Sequence, residues 1–321
     1  MRSIIIVFLS AVLFSCEKKE LPAPKYDRGD VLTAQVNMTS NYKNQVWFSL
    51  SENKIVSTNY KTDWDIAFES SVTGDHVILN SALGARVYKT NHNQLSDVTD
   101  TTGLAVHELV DSPTGNLDST AIGDWQPNNT VYILNRGFSE TGQALGFYKI
   151  KITSVSTTGF VFEYADIFGT QTYQKTVSKN EQYNFNAYSF SSHQQLSIEP
   201  FKENYDMCFT QFTHVFTNPL HYYQVTGVLT NSFKTRVTSI TDRPFADITI
   251  NDTLGRTFTR NKNSIGYDWK SFDLNTNLYT VNTNLCYIIN DNEGFYYKLH
   301  FIDFYNSTGI KGYPTFEFKK L

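Results

Sequence analysis

The chain has little charge, little cysteine and little histidine. Charged residues make up 18% of its 321 positions, the net charge is −4, and no basic block is present. Proteins that bind nucleic acid normally carry a basic patch, so nucleic acid is excluded as a partner. Three cysteines in a chain of this length cannot form a disulfide framework.

Motifs of the common enzyme and metal-site classes are also missing. The chain has no Gly-x-Ser-x-Gly elbow, no CxxC pair, no phosphate-binding glycine loop and no EF-hand spacing. His107 precedes a glutamate but has no second histidine four residues later, so no zincin-type zinc site is predicted. The sequence therefore favours a binding protein over an enzyme.

No long amphipathic helix is predicted, whereas aromatic residues are abundant, with 24 Phe and 20 Tyr. Polarity alternates with period two in many segments. Tyr148, Ile150 and Ile152 share one face of a predicted strand, and Lys149 and Lys151 share the other, which is expected to face water. These patterns predict an all-β, mostly antiparallel fold.

The chain repeats itself once. Asp-Trp-Asp-Ile-Ala-Phe at 63–68 returns as Asn-Tyr-Asp-Met-Cys-Phe at 204–209, and Phe-Tyr-Lys-Ile-Lys-Ile at 147–152 returns as Tyr-Tyr-Lys-Leu-His-Phe at 296–301. The spacing of about 145 residues is far longer than the period of a solenoid or propeller. We therefore predict two tandem β units, at 31–175 and 176–321.

The N-terminus resembles a bacterial lipoprotein signal. An apolar run at 4–14 is too short to span a bilayer, and it ends in Leu-Phe-Ser followed by Cys16, which resembles a lipobox. We predict a signal peptide at 1–15, lipid attachment at Cys16 and a tether at 16–30, which places the protein at the outer membrane or cell surface. The alternative is a plain secretory signal with an incidental cysteine.

The two remaining cysteines occupy positions that hold small apolar residues in the other half of the chain. Cys208 corresponds to Ala67, and Cys286 corresponds to Val131. A free thiol packs as a small hydrophobic group. Two unpaired core thiols are therefore favoured over a disulfide.

Several short motifs, kept in order along the chain, resemble the HmuY family. They are the Trp-Phe-Ser-Leu strand at 47–50, the Asp-Trp element at 63–68, Tyr-Lys-Thr at 88–90, Gly-Tyr-Asp-Trp-Lys at 266–270, Tyr-Ile-Ile at 287–289, the strand at 294–301 and the closing strand at 312–318. The family comprises haem-binding, lipid-anchored, all-β surface proteins of Bacteroidetes. The resemblance implies haem capture and delivery to an outer-membrane transporter, here by two HmuY-like units in tandem.

The haem ligands that the resemblance implies are not matched. Family members place one axial ligand shortly after the Trp of the Asp-Trp element and another upstream of it. Neither the segment after Trp125 nor the one after Trp269 offers His or Met, and 238–266 offers none upstream. His107 is the upstream candidate in the first half.

Three further histidines are candidate ligands for haem or a similar molecule. His76 and His214 recur in roughly corresponding positions, which also fits a packing or hydrogen-bonding role, and His221 lies beside two tyrosines. His92, His193 and His300 are predicted to be surface residues. The alternative function is a non-haem structural or protein- or glycan-interaction lipoprotein on the same scaffold.

Overall fold

A computed structural model describes residues 29–104, 108–126 and 129–321, and these residues form an all-β protein. The fold class predicted from the alternating pattern is confirmed. The strands are β1 (Leu32–Gln35), β2 (Asn44–Ser49), β3 (Lys54–Tyr60), β4 (Ile66–Glu69), β5 (Val77–Leu79), β6 (Arg86–Lys89), β7 (Glu108–Leu109), β8 (Tyr132–Asn135), β9 (Phe147–Val155), β10 (Gly159–Asp166), β11 (Tyr173–Ser178), β12 (Phe185–Ser189), β13 (Gln194–Leu196), β14 (Met207–Thr217), β15 (Leu220–Thr230), β16 (Arg236–Ile240), β17 (Lys270–Asp273), β18 (Leu278–Val281), β19 (Cys286–Asn290), β20 (Tyr296–Tyr305) and β21 (Lys311–Lys320).

Helical structure in the described ranges is limited to single 3₁₀ turns. They span Lys61–Asp63, Ser81–Leu83, Leu95–Asp97, Leu117–Ser119, Phe245–Asp247 and Ile250–Thr253. Across the part of the chain that the structure describes, no helix has the length and apolar character needed to cross a membrane.

The strands form five antiparallel sheets. Their orders are β11-β10-β9-β8-β6-β7, β1-β21-β20-β19-β16, β13-β12-β4-β5, β15-β14-β2-β3 and β17-β18. The glycine-containing turns at 159 and 309–312 predict the hairpins β9–β10 and β20–β21, and both are confirmed. Inward-facing side chains of alternating strand positions form two separate hydrophobic cores. Each core lies between a four-stranded sheet and a larger sheet.

Strands from the first half of the chain pair with strands from the second half in both of the cores. β1 pairs with β21 and β2 pairs with β14, whereas β12 pairs with β4 and β11 pairs with β10. One core accordingly combines side chains from 36–50 and 207–318, and the other is built from 66–190. The predicted boundary at residue 175 lies inside β11, and the division into two units stays a prediction.

The outer faces of the two large sheets are covered by loops, so the expectation that Lys149 faces water is wrong. Its Nζ donates a hydrogen bond to the Val98 carbonyl at 2.8 Å. The repeated residue Lys298 donates to the carbonyls of Phe245 and Ile248 at 2.7 and 3.0 Å. Each ammonium is tolerated inside because backbone carbonyls replace its water shell.

A buried ion pair anchors the core around β4. Arg136 Nε donates to Asp65 Oδ1 at 2.7 Å, and Nη2 donates to Asp65 Oδ2 at 3.3 Å. Nη2 also donates to Ser191 Oγ, and the Phe190 amide donates to Asp65 Oδ2, both at 2.7 Å. The charges of both partners are therefore satisfied away from water.

The corresponding position in the second half has no cation. Asp206 is buried and accepts from the Leu50 amide at 2.8 Å and the Asn292 amide at 3.3 Å. Where the first half has Arg136, the repeated motif has Asp291, whose Oδ2 is buried without a hydrogen-bond partner. Burial, reinforced by the charge of Asp291, raises the pKa of Asp206 to about 7.

Cys208 and Cys286 are both free and buried, as predicted. Burial raises the pKa of each thiol, most strongly that of Cys208. Both therefore stay protonated and pack as small apolar groups.

Candidate functional site

The β14–β15 hairpin is the longest in the described chain and brings two candidate histidines together. Only its base is held in a larger sheet, because β2 pairs with Met207 to Phe209 alone. Beyond that point the two strands pair only with each other, from Thr210↔Gly227 to Thr217↔Leu220. The distal half of the hairpin is a two-stranded ribbon.

The inward face of the ribbon is fixed to the first half of the chain. The Gln224 side-chain amide donates to the Ser81 carbonyl at 2.9 Å, and Thr213 Oγ1 donates to the same carbonyl at 3.3 Å. Tyr222 OH donates to the Glu108 carbonyl at 3.1 Å. These bonds hold the ribbon in place and leave its opposite face outward.

The outward face carries His214, Phe216, His221 and Tyr223, which we call the histidine–aromatic face. The register pairs His214 with Tyr223 and Phe216 with His221, so all four side chains share one side of the ribbon. The His214 ring is 4.6 Å from Phe216 and 5.1 Å from Tyr267, edge to face. Phe216 and Tyr223 are 43% and 56% exposed. Exposed aromatic side chains grouped on one surface are typical of contact surfaces.

The two imidazoles differ in exposure: His221 is exposed and His214 is partly buried. Nδ1 of His214 is buried without a hydrogen-bond partner, and within the described residues the side chain of His221 makes only ring contacts, with Phe216 and Tyr223. Both histidines lie on one side of the ribbon, so they cannot hold opposite faces of a flat molecule. The geometry permits one axial donor with aromatic stacking beside it.

A cleft of about 500 Å³ opens beside the hairpin, between the ribbon and the two large sheets. Its walls include Tyr222, Tyr223 and three cationic side chains, Lys61, Arg86 and Lys311. Arg86 is paired with Glu108, and Lys61 Nζ donates to the Gln211 side chain at 2.7 Å. Glu140 also lines the cleft and offsets part of this positive charge. Because Thr213, Tyr222 and Gln224 line it too, the cleft lies mainly on the inward side of the ribbon, opposite the histidine–aromatic face.

His76 lies elsewhere and has carboxylate partners. Its Nδ1 is 2.6 Å from Glu69 Oε2 and 3.4 Å from Asp75 Oδ1. Burial of Glu69 opposes ionisation, but hydrogen bonds from His76 and Ser71 outweigh it and lower the pKa of Glu69. The structure thus gives His76 a hydrogen-bonding role, and the three side chains are near enough for a single ion to reach them all.

The remaining predicted residues have different outcomes. Cys16 and His107 lie outside the described residues. His92 is exposed, as predicted. The surface prediction is wrong for His193, whose Nδ1 lies 2.6 Å from the Tyr164 hydroxyl, and for His300, which stacks on Phe245 at 4.0 Å and contacts Glu317.

The polar groups of an internal cavity were missed at the sequence level. Asp111, Glu199 and Lys262 line a space between the two four-stranded sheets. They are far apart in the chain and belong to no motif, so no local pattern could have grouped them. The nearest signal in the sequence was the small side chain at one repeated position, Ala67 in the first half and Cys208 in the second.

The family assignment follows from the order of motifs that the strands carry. A model of the HmuY family, described as HmuY protein, matches residues 41–318. The chain belongs to the HmuY family. No curated protein matches the chain significantly.

Several solved structures are similar to the chain over most of its length. A Bacteroides vulgatus protein described as HmuY-like and haem-binding has 11% identity and a TM-score of 0.25, covering 91% of this chain and 94% of its own. Apo PinO of Porphyromonas gingivitis has 9% identity and a TM-score of 0.26, covering 91% and 98%. The apo HmuY analogue of Tannerella forsythia has 10% identity and a TM-score of 0.22, covering 92% and 98%.

Proposed function

We propose that this HmuY-family chain is a haem-binding surface lipoprotein that acts by binding rather than catalysis. The observation that carries the proposal is the histidine–aromatic face, which combines the exposed imidazole of His221 and the partly buried imidazole of His214 with exposed aromatic rings on a ribbon whose other face is fixed to the protein. Family membership supports haem as the ligand. Attachment through Cys16 would hold the protein at the outer membrane or cell surface, and hand-over of haem to an outer-membrane transporter is the finer part of the proposal.

The residues on this face fit haem with one axial ligand. His221 is the proposed donor because it is exposed, and His214, half-buried beneath Phe216, is the second choice. Phe216 and Tyr223 would cover part of the porphyrin by stacking.

Haem titration of residues 21–321 tests the proposal. We expect a saturable Soret shift with one equivalent of haem and a spectrum of single-histidine ligation. The double variant His214→Ala/His221→Ala should lose at least about tenfold in affinity, because an axial bond and its ring contacts are removed. His92→Ala is the matched control, since His92 is an exposed histidine in a separate loop, and it should bind like the wild type.

Two results would contradict the proposal in different ways. If neither ferric nor ferrous haem gives a saturable shift, haem binding is wrong, and a non-haem protein- or glycan-interaction role on the same scaffold takes its place. If the wild type binds but the double variant binds equally well, haem is the ligand and the histidine–aromatic face is the wrong site. His107→Ala then becomes the next variant to measure.

A further inference from the structure

An internal cavity lies where the two four-stranded sheets meet back to back. Ile66 and Phe68 of β4 point into one core, so the intervening Ala67 points the other way, and Cys208 of β14 does the same between Met207 and Phe209. The two outward faces line a space of about 130 Å³ that is partly open to solvent. This cavity belongs to neither core and is separate from the histidine–aromatic face.

Small side chains on the strands create the space. Ala67 of β4 lies directly opposite Ala187 of β12, so two methyl groups occupy a position where larger residues would fill the gap. Trp47 and Trp64 form part of the wall. Each indole is oriented by its N–H, which donates at 2.9 Å to Asn59 Oδ1 for Trp47 and to Gln45 Oε1 for Trp64. Most of the lining is therefore apolar and rigidly held.

One end of the cavity is polar, and its two carboxylates already have donors. Asp111 accepts from the amides of Leu79 and Ala121 at 2.7 and 2.8 Å. Glu199 accepts from the Phe185 amide at 2.7 Å and the Tyr205 hydroxyl at 3.0 Å. Neither group needs a ligand to satisfy it.

The ammonium of Lys262 is different. Its backbone is fixed by hydrogen bonds to Thr114 and Thr230, and its side chain enters the cavity with Nζ 4.8 Å from the Phe185 ring. Among the residues that the structure describes, Nζ has no hydrogen-bond acceptor and no carboxylate within ion-pair distance. Burial lowers the pKa of Lys262, and the charges of Glu199 and Asp111 oppose that effect. This partly buried ammonium has donors free for an acceptor in the cavity.

We propose that this cavity binds a small neutral molecule of about benzene's size that carries one oxygen acceptor, with Lys262 donating to that oxygen. The size follows from the volume, since an apolar cavity of about 150 Å³ holds benzene. The ligand is expected to carry an acceptor because the ammonium of Lys262 can only donate hydrogen bonds. Neutrality follows from Asp111 and Glu199, which already offset the positive charge and would repel an anion.

The four tryptophans provide an internal measurement of binding. Trp47 and Trp64 line the cavity, whereas Trp125 and Trp269 are buried in the two cores at 4% and 0% exposure. Titration of residues 21–321 with phenol, followed by the indole N–H signals in NMR, should shift the first two saturably. The signals of the other two should not move. Toluene has the same shape without the oxygen and should bind about tenfold more weakly.

Lys262→Met measures how much the proposed hydrogen bond from Lys262 to the phenol oxygen contributes to binding. The variant keeps an apolar chain of similar length, so it should bind toluene at least as well as the wild type and lose the preference for phenol. Ala187→Leu fills the cavity and should abolish binding of both compounds. Unchanged Trp125 and Trp269 signals in each variant show that the cores remain folded.

Three outcomes would overturn the proposal. A cavity that holds only water gives no saturable Trp47 or Trp64 shift with either compound. An unchanged preference for phenol in Lys262→Met shows that Lys262 is not the donor. Tighter binding of benzoate than of phenol shows that the site takes anions rather than neutral acceptors.

Discussion

Replacing Arg136 with Met is expected to lower the free energy of unfolding by about 3–5 kcal/mol. The substitution leaves Asp65 as an uncompensated charge in a core where its side chain is 1% exposed. It also removes the bonds to Ser191 and to the Leu145 carbonyl. Equilibrium urea unfolding measures the loss.

Two further variants separate charge from packing. Arg86→Met breaks an ion pair with Glu108 whose side chains are about one-third exposed, and it should cost less than about 1 kcal/mol. Adding Asp65→Leu to Arg136→Met removes the stranded charge and should restore much of the stability. If Arg136→Met costs no more than Arg86→Met, the buried pair does not anchor this core.

Stability should fall as pH rises from about 4 to about 7. Asp206 has its pKa raised by burial, and by the charge of Asp291, from 3.8 to about 7. Over that range the folded state holds a proton that the unfolded state has released, so raising the pH favours unfolding, and the dependence flattens above about 7. The difference between the folded and unfolded pKa of Asp206 corresponds to a contribution to the free energy of unfolding of at most on the order of 4 kcal/mol.

Asp291→Asn should remove the smaller part of this dependence that comes from the charge of Asp291, while the part caused by burial remains, and it should stabilise the protein at pH 7.5 by about 1–3 kcal/mol. Asparagine keeps the oxygen that accepts from the amides of Glu293 and Phe295 at 3.0 and 2.7 Å. Its NH₂ replaces the oxygen that has no partner, and the negative charge that opposes ionisation of Asp206 is gone. Urea unfolding at pH 5, 6, 7 and 8 compares the variant with the wild type.

Asp97→Asn, which alters an exposed carboxylate, is the matched control and should follow the wild-type pH curve. If the wild type is equally stable at pH 5 and pH 8, Asp206 does not bind a proton on folding. Destabilisation by Asp291→Asn at pH 7.5 would show that the carboxylate of Asp291 has a partner in solution.

Local patterns predicted the strands but, apart from the hairpins β9–β10 and β20–β21, not their partners. The alternation at 147–152 and 296–301 identified β9 and β20, because a buried face of Ile150 and Ile152 follows directly from period two. The same alternation assigned Lys149 to water, because a polar residue in a pattern does not reveal whether a loop will later cover it. Pairing between β1 and β21 depends on residues at opposite ends of the chain, which no local window contains.

The candidate site was partly predictable for the same reason. His214 and His221 were identified individually as candidates, and the hairpin register then placed them on one face beside Phe216. The cavity around Lys262 could not be predicted, since its lining comes from both four-stranded sheets and the loops between them. A site of that kind is defined by packing rather than by spacing.

The pairing of the first strand with the last has a consequence for how the chain matures. β1 joins β21 across a sequence separation of 280 residues, as between Gln35 and Thr315. Such distant closures are slow, and this one cannot begin until the final strand exists. The five-stranded sheet therefore stays incomplete until Lys311–Lys320 is present, and the core on its inner face can close only then.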